Sequence, residues 1–178
     1  MMILVIGGSG SGKSSYAEKY VCSVSREDMK KYYLATMQIF DEEGQNKVER
    51  HRKLRSGKGF LTIEQPGEIG RSLERMDAGR KTVLLECISN LTANEMFAGE
   101  PPKLEMQVVQ SVISGLEQLR KNTTNLVVVS NNGFEDGIIY DLTTMNYIHA
   151  MGEINQRLAA MADQVVEVVA GIPVVIKQ

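Results

Sequence analysis

The stretch Gly7-Gly8-Ser9-Gly10-Ser11-Gly12-Lys13-Ser14 limits what this chain can be more than any other part of it. It follows Met2-Ile3-Leu4-Val5-Ile6, an apolar run of strand length rich in β-branched residues. It precedes Ser15-Tyr16-Ala17-Glu18-Lys19-Tyr20, which reads as the first turns of a helix. Strand, glycine loop and helix in that order turn the spacing G-x-x-x-x-G-K-S into a phosphate site. Glycines let the backbone close around an anion and aim several N–H groups at it, and the helix N-terminus adds partial positive charge. Lys13 is then placed to reach the β- and γ-phosphates of a nucleoside triphosphate, with the Ser14 hydroxyl on Mg²⁺.

Further apolar runs follow at Tyr32–Thr36, Val83–Ile88, Leu126–Ser130, Val165–Val169 and Ile172–Ile176, with a short one at Leu61–Glu64. The main runs alternate with segments of helical spacing, which predicts an α/β fold: a mostly parallel central sheet flanked by helices. The last two runs are separated only by Ala170-Gly171, predicting an antiparallel hairpin at the C-terminal end. Helices are expected from about Lys103 to Lys121, after Pro101-Pro102, and from about Thr144 to Ala162. Residues 1–178 are long enough for one domain with a full core.

Composition excludes several classes. A net charge of −2 gives no electrostatic case for nucleic acid or a membrane surface. Two cysteines, Cys22 and Cys87, make neither a disulfide framework nor a zinc site, and Cys87 reads as a small buried hydrophobe. The apolar start is too short for a signal peptide or membrane span, so a cytoplasmic protein is expected.

In parallel sheets ligands gather at the carboxyl ends of the strands. The second strand exits into Ala35-Thr36-Met37-Gln38 and, past Asp41-Glu42-Glu43-Gly44, into a polar helix, Gln45 to Arg55. That helix is barely amphipathic, so deep packing is not expected of it. Lys47 to Lys58 holds six Lys or Arg against one Glu, which suits a polyphosphate or, equally, a solvated helix face. His51 sits inside the run, and its cationic neighbours Arg50, Arg52 and Lys53 favour the neutral imidazole. A neutral ring nitrogen can attack an α-phosphate; a lone surface histidine with no such role is the plainer reading. His149, in the last helix, reads as structural. The strand Val83-Leu84-Leu85-Glu86 ends in a carboxylate, either the acid that supports Mg²⁺ or a cap for the next helix. Asn131-Asn132-Gly133-Phe134-Glu135-Asp136-Gly137 is a glycine-bearing loop at another strand exit, either a pocket wall or a connection.

Together these pieces resemble the bifunctional adenosylcobinamide kinase / adenosylcobinamide-phosphate guanylyltransferase family of cobalamin biosynthesis. The match runs through Met2–Val5 and the loop Gly7–Ser14, Ala35 to Ile39, His51-Arg52, Thr62-Ile63-Glu64 and Leu84 to Ile88. It continues in Ile154-Asn155-Gln156-Arg157-Leu158-Ala159, Ala162-Asp163, Ala170-Gly171-Ile172-Pro173 and Ile176-Lys177. The resemblance implies a RecA-like P-loop NTPase fold, a homotrimer, and two reactions using ATP or GTP. One phosphorylates the aminopropanol hydroxyl of adenosylcobinamide. The other transfers GMP from GTP to that phosphate through a guanylylated histidine, at the position of His51. It further implies that Gly7, Gly8, Ser9, Gly10, Ser11, Gly12, Lys13 and Ser14 hold phosphate. Ala35, Thr36, Met37, Arg52, Lys53, Leu54, Arg55, Glu64 and Glu86 match positions that contact the guanine nucleotide.

The chain departs from that family's pattern in one region. Asn132 stands where the family has Glu, Tyr140 where it has Pro, and Tyr140 to Gly152 contains no arginine where the family carries an Arg-x-aromatic-Arg-Asp segment. Two other readings of the residues stay open: a P-loop kinase acting on another hydroxyl substrate, and a non-catalytic GTP-binding regulatory protein.

Overall fold

Short β-branched runs separated by helices build the strands β1 (Met2–Ile6), β2 (Lys30–Ala35), β3 (Phe60–Glu64), β4 (Lys81–Glu86), β5 (Asn125–Val129), β6 (Gln164–Val169) and β7 (Ile172–Lys177). The helices are α1 (Lys13–Val24), α2 (Ile88–Met96), α3 (Glu105–Asn122) and α4 (Leu142–Met161), with a 3-10 segment at Ile69–Arg75. The structure is a computed structural model and describes residues 1–38, 45, 49, 52–53, 55–132, 138 and 140–178.

The strands join one seven-stranded sheet in the order β3-β2-β4-β5-β1-β6-β7. Every pairing is parallel except β6 with β7, so the expected C-terminal hairpin is present. Alternation along the strands divides the core between the two faces of the sheet. Met2, Leu4, Tyr32, Leu34, Val83 and Leu85 pack with α2, α3 and α4; Ile3, Val5, Tyr33 and Leu84 pack with Ala17 and Val21 of α1.

Register carries the fold to the site. Glu64 pairs with Ala35, Ala35 with Glu86, Glu86 with Val129, and Val129 with Val5, the residue before the last of β1. The carboxyl ends of β3, β2, β4, β5 and β1 therefore stand in one row.

Several boundaries differ from those the sequence suggests, for local reasons. α3 starts at Glu105 rather than Lys103, because Lys103 Nζ is drawn to the buried Glu95 carboxylate at 2.9 Å and Lys103 N–H donates to Met96 O. α4 starts two residues early because Asp141 caps it, accepting from Thr143 N and Thr144 N at 2.9 and 3.1 Å. β4 stops at Glu86, so Cys87 is the N-cap residue of α2 rather than a buried strand residue. His149 is exposed on α4, which gives it no packing role. Most of the polar helix lies outside the described residues; its described members Gln45, Glu49, Arg52, Lys53 and Arg55 are helical.

Candidate functional site

The loop between β1 and α1 is shaped by close approach and left-handed backbone. A side chain on Gly7 would place Cβ 2.6 Å from both Ser11 Oγ and Val168 O. Gly12, the N-cap residue of α1, has φ 92 and offers no side-chain cap to the helix. The first N–H groups of α1 are thus left for an anion. The turn between β6 and β7 supports the loop from outside, Gly171 N–H donating to Ser11 O at 2.8 Å. Ser11 Oγ is buried with no hydrogen-bond partner among the described residues, a polar atom inside the cradle awaiting one.

Lys13 is 9% exposed and its ammonium donates to Gly8 O at 3.0 Å, folded back onto the loop it serves. Burial pulls its pKa below the usual lysine range, opposed by the nearby Cys87 and Glu86. Ser14 Oγ donates to Glu86 Oε1, and Tyr33 Oη donates to Glu86 Oε2 at 3.2 Å. Glu86 therefore turns toward the loop, and α2 begins at a Cys87 cap that uses no side-chain bond. Of the two sequence readings of Glu86, its geometry favours the acid beside the phosphate loop. A serine hydroxyl and a carboxylate are hard oxygen donors of the kind Mg²⁺ takes together with phosphate and water. Ser14 and Glu86 fit as the residues that would hold it.

Thr36 has a different position from its neighbours. Its hydroxyl is fully engaged, donating to Cys87 O and accepting from Cys87 N–H, each at 2.8 Å. Thr36 O in turn accepts from Asn94 Nδ2 at 2.7 Å, so Thr36 clamps the exit of β2 to that of β4. Ala35 and Met37, on either side of it, are half-buried at the same edge.

The basic residues lie farther along the row. Arg52 Nη2 donates to Glu64 Oε1 at 3.2 Å at the end of β3, and both side chains are exposed, as is Lys53. Arg55 is buried, the exception among the described members of a helix not expected to pack deeply. Its guanidinium carbon sits 3.5 Å from the centroid of the Tyr33 ring, so an aromatic face accepts the cation that an apolar core would reject. Such a desolvated stack stabilises by about 2 kcal/mol. Arg55 Nη1 has no hydrogen-bond partner among the described residues. Three residues on, Lys58 Nζ is bonded to the buried Glu18 carboxylate of α1 at 2.7 Å. His51 and Leu54 lie outside the described residues, as does most of the loop beginning at Gly133.

Two groups of site-edge residues escaped the sequence reading. Tyr33 sits in the run Tyr32-Tyr33-Leu34 and reads there only as core. At the exit of β5, Ser130 Oγ donates to Asn155 Oδ1 at 2.6 Å, Asn155 Nδ2 to Asn131 O at 3.0 Å, and Asn131 Nδ2 to Ser89 Oγ at 3.0 Å. Asn155 belongs to the Ile154–Ala159 segment that carries the resemblance, yet its place in fixing this strand exit emerges only from the fold.

Among solved structures, an ATPase domain superposes with a TM-score of 0.52 at 11% identity, covering 93% of this chain and 68% of that one. That likeness concerns the fold alone: a mostly parallel sheet of the P-loop ATPase kind. Among curated proteins, the Bifunctional adenosylcobalamin biosynthesis protein CobU of Escherichia coli (strain K12) is 30% identical over 186 residues, covering 99% of this chain and all of its own length. The protein of the same description from Salmonella typhimurium is also 30% identical with the same coverage. The Bifunctional adenosylcobalamin biosynthesis protein CobP of Pseudomonas aeruginosa is 25% identical, covering 99% of this chain and 98% of its own length. The sequence model described as Cobinamide kinase / cobinamide phosphate guanyltransferase matches residues 3–176, and with the phosphate loop, Glu86 and the basic segment on one sheet edge, the chain belongs to that family.

Proposed function

We propose that this protein phosphorylates the aminopropanol hydroxyl of adenosylcobinamide and then transfers GMP from GTP to the resulting phosphate, within cobalamin assembly. The observation that carries the reading is the family match over residues 3–176 on a chain whose phosphate loop and Glu86 are in contact. In the kinase step the substrate hydroxyl oxygen attacks the γ-phosphorus of ATP or GTP, and the bond to the β-phosphate oxygen breaks. Loop amides and Lys13 hold the triphosphate in line for that attack. Mg²⁺, carried by Ser14 and Glu86, would neutralise charge on the bridging phosphates.

In the guanylyl step a ring nitrogen of His51 attacks the α-phosphorus of GTP, forming an N–P bond as pyrophosphate leaves. An oxygen of adenosylcobinamide phosphate then displaces the histidine and gives adenosylcobinamide-GDP. What supports His51 in this role is its company. Arg52, the next residue, pairs with Glu64 at the end of β3; Arg55, four residues on, lies over Tyr33 beside Glu86. Arg52, Lys53 and Arg55 stabilise charge on the α- and β-phosphates, Leu54 lies among them in sequence, and Glu64, Ala35 and Met37 help fix the nucleoside. The chain acts as one domain, as a trimer, and in the cytoplasm. Among the described residues no helix is long and apolar enough to cross a membrane.

The test is incubation of purified protein with Mg²⁺ and GTP labelled at the α-phosphate. Acid-labile, alkali-stable label on the protein that moves to adenosylcobinamide phosphate is expected. GTP binding without any such label would overturn the covalent route.

A further inference from the structure

The basic segment and the phosphate loop come from different parts of the chain, yet one side chain links them: Tyr33 touches Arg55 directly and reaches Ser14 through Glu86. Tyr33 is 4% exposed and faces α1 from the middle of β2. Phe60 holds its ring from the side, with centroids 6.4 Å apart and planes at 83°. The ring face carries the Arg55 guanidinium at 3.5 Å, and the hydroxyl reaches Glu86 Oε2 at 3.2 Å while Ser14 occupies Oε1. A phenylalanine would pack as well in this place, and a leucine would fill much of it. Of these three, only tyrosine offers a π-face for a buried cation together with a donor for a buried-edge carboxylate.

We propose that Tyr33 is a positioning residue shared by the two half-reactions: its hydroxyl orients Glu86 for Mg²⁺, and its ring seats Arg55 and with it the chain that follows His51. The second half of this statement rests on the reading of His51 as GMP carrier; the first does not. In this pair the phenol hydroxyl is the donor and the carboxylate the acceptor. Lys58 on Glu18 adds a second fixed point three residues beyond Arg55, at 2.7 Å. The segment after His51 is thereby pinned at Arg55 and Lys58 onto the elements that carry the phosphate site.

The experiment compares the full chain with Tyr33→Phe and Tyr33→Leu, each checked for cooperative thermal unfolding; Tyr33→Met replaces the leucine variant if that one does not fold. Calorimetric GTP binding is measured in EDTA and across a Mg²⁺ series. Tyr33→Phe is expected to bind GTP as wild type in EDTA but to need about tenfold more Mg²⁺ for the metal-dependent gain, the loss of one charge-assisted hydrogen bond. An unchanged Mg²⁺ series in Tyr33→Phe overturns the link to Glu86. Seating of Arg55 is read by limited trypsin digestion and mass identification of the cut after Arg55. Wild type and Tyr33→Phe are expected to resist, and Tyr33→Leu to be cut at least about tenfold faster there, the ring face that holds the cation being gone. Equal protection in all three overturns the link to Arg55. With α-labelled GTP, excess Mg²⁺ should restore guanylylation in Tyr33→Phe and not in Tyr33→Leu. Absence of label in wild type would count against the His51 reading instead, leaving the Mg²⁺ and trypsin results to decide Tyr33's role.

Discussion

The phosphate-loop half of the site and the basic half are built from different materials. On the loop side the binding surface is backbone, and its geometry is enforced by neighbours: Gly7 lies against Val168 O, Gly171 N–H holds Ser11 O, and Lys13 is tied to Gly8 O. On the basic side the surface is long side chains. Arg52 and Lys53 are exposed, and the Arg52–Glu64 pair is 59% and 69% exposed at its two ends. Among the described basic residues of that helix, only Arg55, on Tyr33, is buried. A backbone cradle is organised before its ligand arrives, whereas long exposed side chains lose rotamer freedom on binding. The two halves should therefore respond differently to substitution.

The sharpest contrast comes from the two candidate catalytic side chains. His51→Ala is expected to abolish covalent labelling by α-labelled GTP while leaving GTP binding within about threefold of wild type, because the triphosphate is held by the loop. Label persisting in that variant would remove the covalent carrier from the mechanism. Lys13→Ala is expected to lower both phosphorylation and guanylyl transfer by about 10²- to 10³-fold, the scale of one lost donor to developing phosphate charge. Loss of only one activity would mean that the halves do not share a phosphate cradle.

A smaller effect tests how far the cradle depends on its outer support. Gly171 has φ 81, and its amide braces Ser11 O. Gly171→Ala should cost about 1 kcal/mol for a side chain in the left-handed region, lowering Tm by about 2–4 °C. It should also weaken triphosphate binding by more than that stability loss would explain, since the brace shifts with the turn. A drop in Tm with unchanged GTP affinity would make the hairpin a packing element only.

The same contrast explains what could be read before the fold was known. The cradle is contiguous: eight consecutive residues between a strand and a helix contain it, so spacing alone identifies it. Glu86 is legible as a carboxylate ending an apolar run, but its contact with Ser14, far away in sequence, is not. The polar helix is exposed at Gln45, Glu49, Arg52 and Lys53 as its weak amphipathicity predicts, and the burial of Arg55 is not legible because helical periodicity scores the helix's own face and knows nothing of an aromatic ring arriving from β2. Tyr33 was hidden for the mirror-image reason. Within an apolar strand its ring already has an explanation, and only the register of β2 against β4 brings its hydroxyl to Glu86. Thr36 could be placed at a strand exit by pattern, whereas its clamp on Cys87 could not.

The smallest expected effect, and the one that bears most directly on the basic half, is at Glu64. Its carboxylate pairs with Arg52 at 3.2 Å on an open surface, where such pairs stabilise by about 0–1 kcal/mol. Glu64→Gln keeps the side chain's length and hydrogen-bonding capacity but removes its charge, so Tm should shift by no more than about 4 °C. If Glu64 contacts the nucleoside, KM for GTP should still rise about three- to tenfold with kcat held, as for an interaction made equally in ground and transition states. The Arg52→Gln variant should differ: freed of a cation near the phosphates, it should lose kcat for guanylyl transfer. Equal losses of kcat in both variants would mean that Glu64 works by holding Arg52, and the exposed ion pair would then be a functional unit rather than two separate contacts.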